Sequence, residues 1–374
     1  MRVGLTLLSR AGQNVWNNGL GQNLFHLASA MEGLPFVEEV ILLDCGDQLA
    51  APDLTGDFAK RYPIVPLAEA SDLVDVVLEV CGALTGEWAA RFRARGGRVV
   101  FYVRGTPYAG LVEPTTFDRS GFFGDHLRFD EIWLLEKDRM LEPMMRAIHR
   151  CPVQIVPYLW SPVFLDQAAQ LFAGEGAEFG YKLGSLSKGQ VQPAIFEPNL
   201  SPRKSGLIPY LICETAHRAD SDLIKKVRFL NTVHFKDHPT FSSVVGNSDL
   251  YKDGRFLFEA RDYFPRVMGQ GANIVVSHQI ECAQNYLYLD AIHGNYPLVH
   301  NSEIFRDIGY YYPASEVGEG YIQLLFAIAE HDRNLDDYAA RSARAIEAVR
   351  PQNPHNQDAY ARLLLNLAAA PDRV

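Results

Sequence analysis

Short runs of β-branched and aliphatic residues alternate with segments of helical periodicity along nearly the whole chain, and this constrains the fold more than any other feature. Residues 3–9, 39–44, 74–80, 98–104, 131–135 and 153–159 read as buried strands, each bounded by Gly, Pro or charge. Between them, 20–31, 86–95 and 139–149 carry apolar residues at helical spacing. Strand and helix in alternation imply a parallel sheet covered on both faces. The glycine-rich stretch 166–192 breaks the pattern and reads as a connecting helix followed by a linker. A second series follows, with strands at 194–197, 227–230, 255–259, 274–278 and 296–300 and helices at 207–216 and 283–293. The expected fold class is therefore α/β: two doubly wound, Rossmann-like domains, 1–165 and 193–350, joined through 166–192. The tail is helical at 320–331, 335–349 and 356–369, and its last part, 351–374, is expected to cross back onto the first domain. At 374 residues the chain has material for two separate cores.

Composition removes several function classes. With 35 Lys plus Arg against 45 Asp plus Glu, the formal charge is −10, so no global positive field gathers polyanions and a nucleic-acid partner is disfavoured. The five cysteines are widely spaced and form no C-x-x-C pair, which argues for reduced thiols instead of a disulfide framework or zinc knuckle. Residues 1–10 read as a first strand and not as a signal peptide, and no apolar run approaches a membrane span. The expected location is the cytoplasm, with peripheral association at the inner membrane as a variant.

In open parallel sheets, ligands gather outside the carboxyl ends of the strands. With two such sheets, a cleft between the domains is the expected site. After the first strand, residues 11–22 (AGQNVWNNGLGQ) form a Gly- and amide-rich loop opening a helix. Gln13, Asn14, Asn17, Asn18 and Gly19 are candidates for recognising acceptor hydroxyls, an ordinary strand-to-helix turn being the alternative. The first strand of the second series ends in 196–205 (FEPNLSPRKS), where Arg203 and Lys204 near a helix N-terminus suit a diphosphate. The densest stretch is 277–302 (SHQIECAQNYLYLDAIHGNYPLVHNS), in which a carboxylate can accept hydrogen bonds from ribose hydroxyls. Tyr286, Leu287 and Leu289 read as core. The Asp220/Asp222 pair has metal-holding spacing but reads as helix capping, and His234 and His238 lack a zinc-site context. No metal is implied.

The segment 289–299 (LDAIHGNYPLV) resembles the helix–strand unit of GT-B glycosyltransferases, in particular the retaining group of glycogen and sucrose-phosphate synthases. Segments 256–265 (FLFEARDYFP) and 271–277 (GANIVVS) are similar to that group's strand, base-contacting loop, short helix and strand. The whole chain more closely resembles a bacterial glycosyltransferase-like family, the domain of unknown function 2827, through 12–19 (GQNVWNNG), 156–162 (VPYLWSP), 196–199 (FEPN), 277–279 (SHQ), 285–289 (NYLYL) and 297–302 (PLVHNS).

That resemblance implies a donor nucleotide-diphospho-sugar, acting as co-substrate with no other cofactor, bound mainly by the second domain. Asp290 stands where the retaining enzymes keep the glutamate that binds the donor ribose, and Lys204 matches their diphosphate lysine. Asn199 stands in place of their arginine, a departure that leaves the charge either to Arg203 or to nothing. Glu281 lies one residue from the position of their sugar-contacting glutamate, Asn285 falls at their phosphate-approaching glycine, and Arg104 occupies a place similar to their first-domain histidine. Arg261 and His278 complete the donor-binding candidates. The implied reaction is transfer with retention to an unknown glycan, lipid-linked or protein acceptor, in the manner of a surface-glycan precursor. Inversion would instead need a base, for which Asp125, His126 and Glu113 are candidates. A sugar-nucleotide epimerase and a non-catalytic nucleotide-sugar or glycan binder are the alternatives.

Overall fold

The computed structural model describes residues 1–14, 19–51, 56–118 and 127–371. The chain divides into two units, one of Met1–Phe164 with Glu347–Val374, the other Leu165–Ile346. The first contains a seven-stranded sheet of β1 (Arg2–Leu7), β2 (Glu39–Asp44), β3 (Ile64–Pro66), β4 (Val76–Glu79), β5 (Arg98–Val103), β6 (Glu131–Leu135) and β7 (Val153–Val156), in the order β3-β2-β1-β4-β5-β6-β7. Every pairing is parallel, for example Val3 opposite both Val40 and Val76. Val3, Leu5, Leu42, Val77, Val99 and Trp133 are wholly buried, as expected of strands covered on both faces.

The second unit holds β8 (Pro193–Ile195), β9 (Val227–Phe229), β10 (Phe256–Phe258), β11 (Ile274–Val276), β12 (Leu298–His300) and β13 (Tyr310–Tyr311), in the order β10-β9-β8-β11-β12-β13 and again all parallel. The alternation of the sequence thus becomes two doubly wound sheets. The edge strands β3 and β13 were not foreseen. They are too short to carry a periodic signal, and pairing with one neighbour suffices to define them.

The helix Val163–Ala173 belongs almost entirely to the second unit. Its Phe172 ring lies 5.0 Å from that of Tyr263 and 4.2 Å from the Arg266 guanidinium, so residues after 165 pack into the unit's own core. In the first unit, the C-terminal helix Pro354–Ala369 lies along the helix Gly19–Glu32. Tyr360, fully buried, donates to the Pro157 carbonyl at 2.8 Å and sits 5.8 Å from the Trp133 ring, while Gln352 bonds Ser29 at 2.7 Å. The tail therefore returns to the first sheet, as expected.

Gly206 positions the helix Leu207–Ala219 against the second sheet. A Cβ there would stand 2.1 Å from the Phe229 ring and 3.0 Å from Ile195, so only glycine permits this approach. Gly206→Ala is expected to cost about 1–3 kcal/mol by overpacking, read as a lowered urea midpoint at unchanged m-value. A neutral result would mean that the helix start is loosely seated.

Candidate functional site

In the six-stranded sheet the strand order reverses between β8 and β11, and two loops meet at their carboxyl ends. The loop after β8 runs from Phe196 to Gly206 and delivers the helix Leu207–Ala219, whose positive end lies at the same edge; Gly206 N–H is taken by Asn199 Oδ1 and Leu207 N–H by Ser205 Oγ, and Pro209 has none to offer. Asn199 organises it. In the left-handed region at φ 54°, its Oδ1 accepts from Gly206 N–H at 2.8 Å and its Nδ2 donates to the Glu197 carbonyl at 3.0 Å and the Asn231 carbonyl at 3.3 Å. Its side chain is thus engaged by backbone groups of this loop and its neighbour, an organising role beside the donor-binding one expected of it.

Lys204 is pinned at its backbone, donating to the Ser201 carbonyl and accepting from Asn199 N–H, each at 3.1 Å, and its half-buried side chain reaches into the field of Glu197. Arg203 forms an ion pair with Glu281 at 2.5 Å, and its carbonyl accepts from Ile280 N–H at 2.8 Å. The pair ties the loop after β8 to the loop after β11. Two groups read from the sequence as independent therefore share their charge, with Arg203 mostly covered and Glu281 mostly exposed.

The loop after β11 is braced from behind. Asn301 and Gln279 exchange hydrogen bonds at 2.9 and 2.8 Å, and Ser302 Oγ donates to the Ala283 carbonyl at 2.7 Å. The 297–302 motif thus shapes the loop. His278 is buried, with Nδ1 3.0 Å from Tyr312 Oη and Nε2 3.3 Å from Ser315 Oγ. Because Tyr312 Oη donates to the Ser277 carbonyl at 3.0 Å, Nδ1 carries the imidazole proton and Nε2 accepts. Burial lowers the ring's pKa to about 4, so it is neutral near pH 7. Both ring nitrogens have protein partners, so His278 braces the loop whatever it does toward the donor expected of it.

Asn285 caps the helix Tyr286–His293, accepting from Leu287 N–H at 3.3 Å. Asp290 is buried within that helix, and Tyr288 and Leu289 are core. Arg261 lies exposed in the loop after β10. One residue escaped the sequence reading. Glu197, two residues beyond β8, is buried; its Oε1 accepts from Ser277 Oγ at 2.5 Å and from His278 N–H at 2.9 Å, while Oε2 is buried without a partner. Burial, against these hydrogen bonds and the Lys204 charge, pushes its pKa up to about 7. The only sequence signal was a carboxylate just past a buried strand.

In the first unit, Asp44 anchors the loop after β1. It accepts from Ser9 Oγ at 2.6 Å, Gly46 N–H at 2.8 Å, Leu49 N–H at 2.9 Å and Ser9 N–H at 3.1 Å. Burial works against ionisation there, but these bonds outweigh it and hold the carboxyl below its usual range. A pocket of about 120 Å³ follows, lined by Arg10, Gln13 and Gln48 among others. Gly19 opens the helix Gly19–Glu32, and Asn14 stands at the end of the turn. Asn17, Asn18, Asp125 and His126 lie outside the described residues. Arg104, just past β5, places Nη1 3.1 Å from Cys81 Sγ, and Glu113 sits in the helix Pro107–Thr116. Among the described residues no His, Cys, Asp and Glu cluster is arranged to hold a metal, and no helix is long and apolar enough to cross a membrane.

Solved structures share this architecture. Trehalose-6-phosphate synthase OtsA aligns over 100% of both chains at 10% identity, with a TM-score of 0.61. The E. coli trehalose-6-phosphate enzyme bound with UDP-2-fluoro glucose aligns over 100% of both chains at 12% identity and 0.58. Anabaena HepE, in complex with UDP and glucose, aligns over 96% of this chain and 99% of its own at 13% identity and 0.56. These likenesses show the GT-B fold. No curated protein matches the sequence. The family model described as "Protein of unknown function (DUF2827)" matches residues 3–364, so a chain whose two parallel sheets carry the GT-B architecture belongs to the DUF2827 family.

Proposed function

We propose that this protein is a glycosyltransferase that takes a sugar from a nucleotide-diphospho-sugar, with the second unit holding the donor and the first the acceptor. The observation that carries the reading is the meeting, at the β8/β11 reversal, of Lys204, the Arg203–Glu281 pair and the N-terminus of the helix Leu207–Ala219. A nucleoside diphosphate leaves with growing negative charge, and preorganised cations and the positive end of a helix stabilise it without reorganising. Engagement of Arg203 by the diphosphate frees Glu281 for the transferred sugar. Asp290 binds the ribose hydroxyls. Transfer proceeds on the front face with retention, the donor phosphate taking the acceptor proton, and uses no metal. The binding of UDP by structural neighbours supports the nucleotide class.

Calorimetric titration with UDP, GDP and ADP tests the reading and identifies the base. Asp290→Ala is expected to weaken the best of them by about tenfold while the melting curve stays cooperative. Unchanged affinity would remove Asp290 from the site. A second reading, a non-catalytic nucleotide-sugar binder, is favoured by one observation: Asn199 replaces a cation and is spent on backbone. Saturable binding without turnover or donor hydrolysis across a broad acceptor panel would establish it.

A further inference from the structure

Glu197 crosslinks the two strands that flank the sheet's reversal point, from the end of β8 to the end of β11. One oxygen does all of this work. The other is buried with no hydrogen-bond partner, a costly place for a carboxylate oxygen and a far cheaper one for a neutral acid. The groups around it are Ser277 and His278 after β11, Tyr288 on the helix Tyr286–His293, Tyr312 after β13, and Lys204 on its own loop. Tyr288 and Tyr312 stay neutral because burial raises both phenols, and His278 is neutral because burial lowers it. The bonds from Ser277 Oγ and from backbone N–H groups do most to hold Glu197 ionised, and Lys204, on the same loop, adds the cationic contribution to them.

Resting on the proposed donor site, we infer that Glu197 is a positioning residue whose protonation is coupled to donor binding. When the diphosphate of a nucleotide sugar settles against Lys204, Glu197 takes up a proton from solvent while Oε1 keeps its grip on Ser277 and His278. The diphosphate cancels the field of Lys204, and the unpartnered Oε2 then carries the proton. Binding so coupled weakens as pH rises, because the bound state holds more protons than the free state. A nucleotide sugar is a diphosphodiester and does not itself titrate near neutrality, so the proton exchanged belongs to the protein.

The test is calorimetry with UDP-glucose, ADP-glucose and GDP-mannose near neutral pH, in buffers of different ionisation enthalpy. The wild type is expected to take up a fraction of a proton with whichever ligand binds, and its affinity to fall roughly three- to fivefold between about pH 6.5 and about pH 8. In Glu197→Gln, which keeps the hydrogen-bonding shape, uptake and pH dependence should vanish. Difference infrared spectroscopy of the wild type, watching the protonated carboxyl band grow on ligand addition, keeps the inference open to refutation if that variant does not fold. Binding with no proton exchange, or exchange that persists in Glu197→Gln, overturns the coupling and leaves the donor site standing. Absence of binding by all three ligands at every pH overturns the donor site, and the coupling falls with it.

Discussion

Lys204→Ala is expected to lower nucleotide-diphosphate affinity by about tenfold to a hundredfold, corresponding to about 1.5–3 kcal/mol for a hydrogen bond to a charged group. The loss should fall on binding and not on folding. Backbone contacts to Ser201 and Asn199 hold the loop whatever side chain stands at 204. Removal of the ammonium leaves Glu197 without its cation, but that carboxyl escapes the penalty by taking a proton, its pKa being already raised to about 7. Lys204→Arg keeps the charge and should retain much of the affinity. Titration of the three proteins with UDP, GDP and ADP decides the matter: equal affinities for wild type and alanine variant would refute the assignment of Lys204 to the diphosphate.

Arg128→Met is expected to destabilise the first unit by about 3–5 kcal/mol, because it strands a buried carboxylate. The Arg128 and Glu79 side chains are 5% and 4% exposed and pair directly, and Glu79 Oε2 also accepts from Leu84 N–H at 2.9 Å. Burial already raises the Glu79 pKa above its usual 4.5, outweighing the arginine beside it. Without the guanidinium that pKa rises further. A carboxyl raised in the folded state stabilises at low pH and loses that contribution as pH climbs past its unfolded value, so the variant's deficit should shrink toward pH 4.5 and widen above it. Adding Glu79→Leu should recover most of the loss. Urea unfolding of the single and double variants measures both effects, and a single variant as stable as the double would refute the stranded-charge account.

The alternation of apolar runs and helical periods determined the fold class by itself, since strands buried on both faces must be apolar throughout and each crossover needs a helix. The loop carrying Arg203 and Lys204 was legible for the same reason: strand ends are visible, and ligands gather there. The helix at 283–293 was legible from its pattern, although it begins at Tyr286, three residues later, with Asn285 as its cap. Which side chains meet was not legible. Arg203 and Glu281 pair across 78 residues, and Glu197 grips Ser277 across 80, distances at which local sequence carries no information about contact. Asn199, placed by resemblance at the family's arginine position, and His278 have polar atoms engaged by neighbouring backbone and side chains, partners that local sequence does not reveal. Composition and periodicity therefore settled the layers and the strand ends between which the loops run. The register of β8 against β11 alone decided that a carboxylate would be buried there with one oxygen unmatched, because the cost of such burial depends on what the far strand offers and not on the residue's own neighbours in sequence.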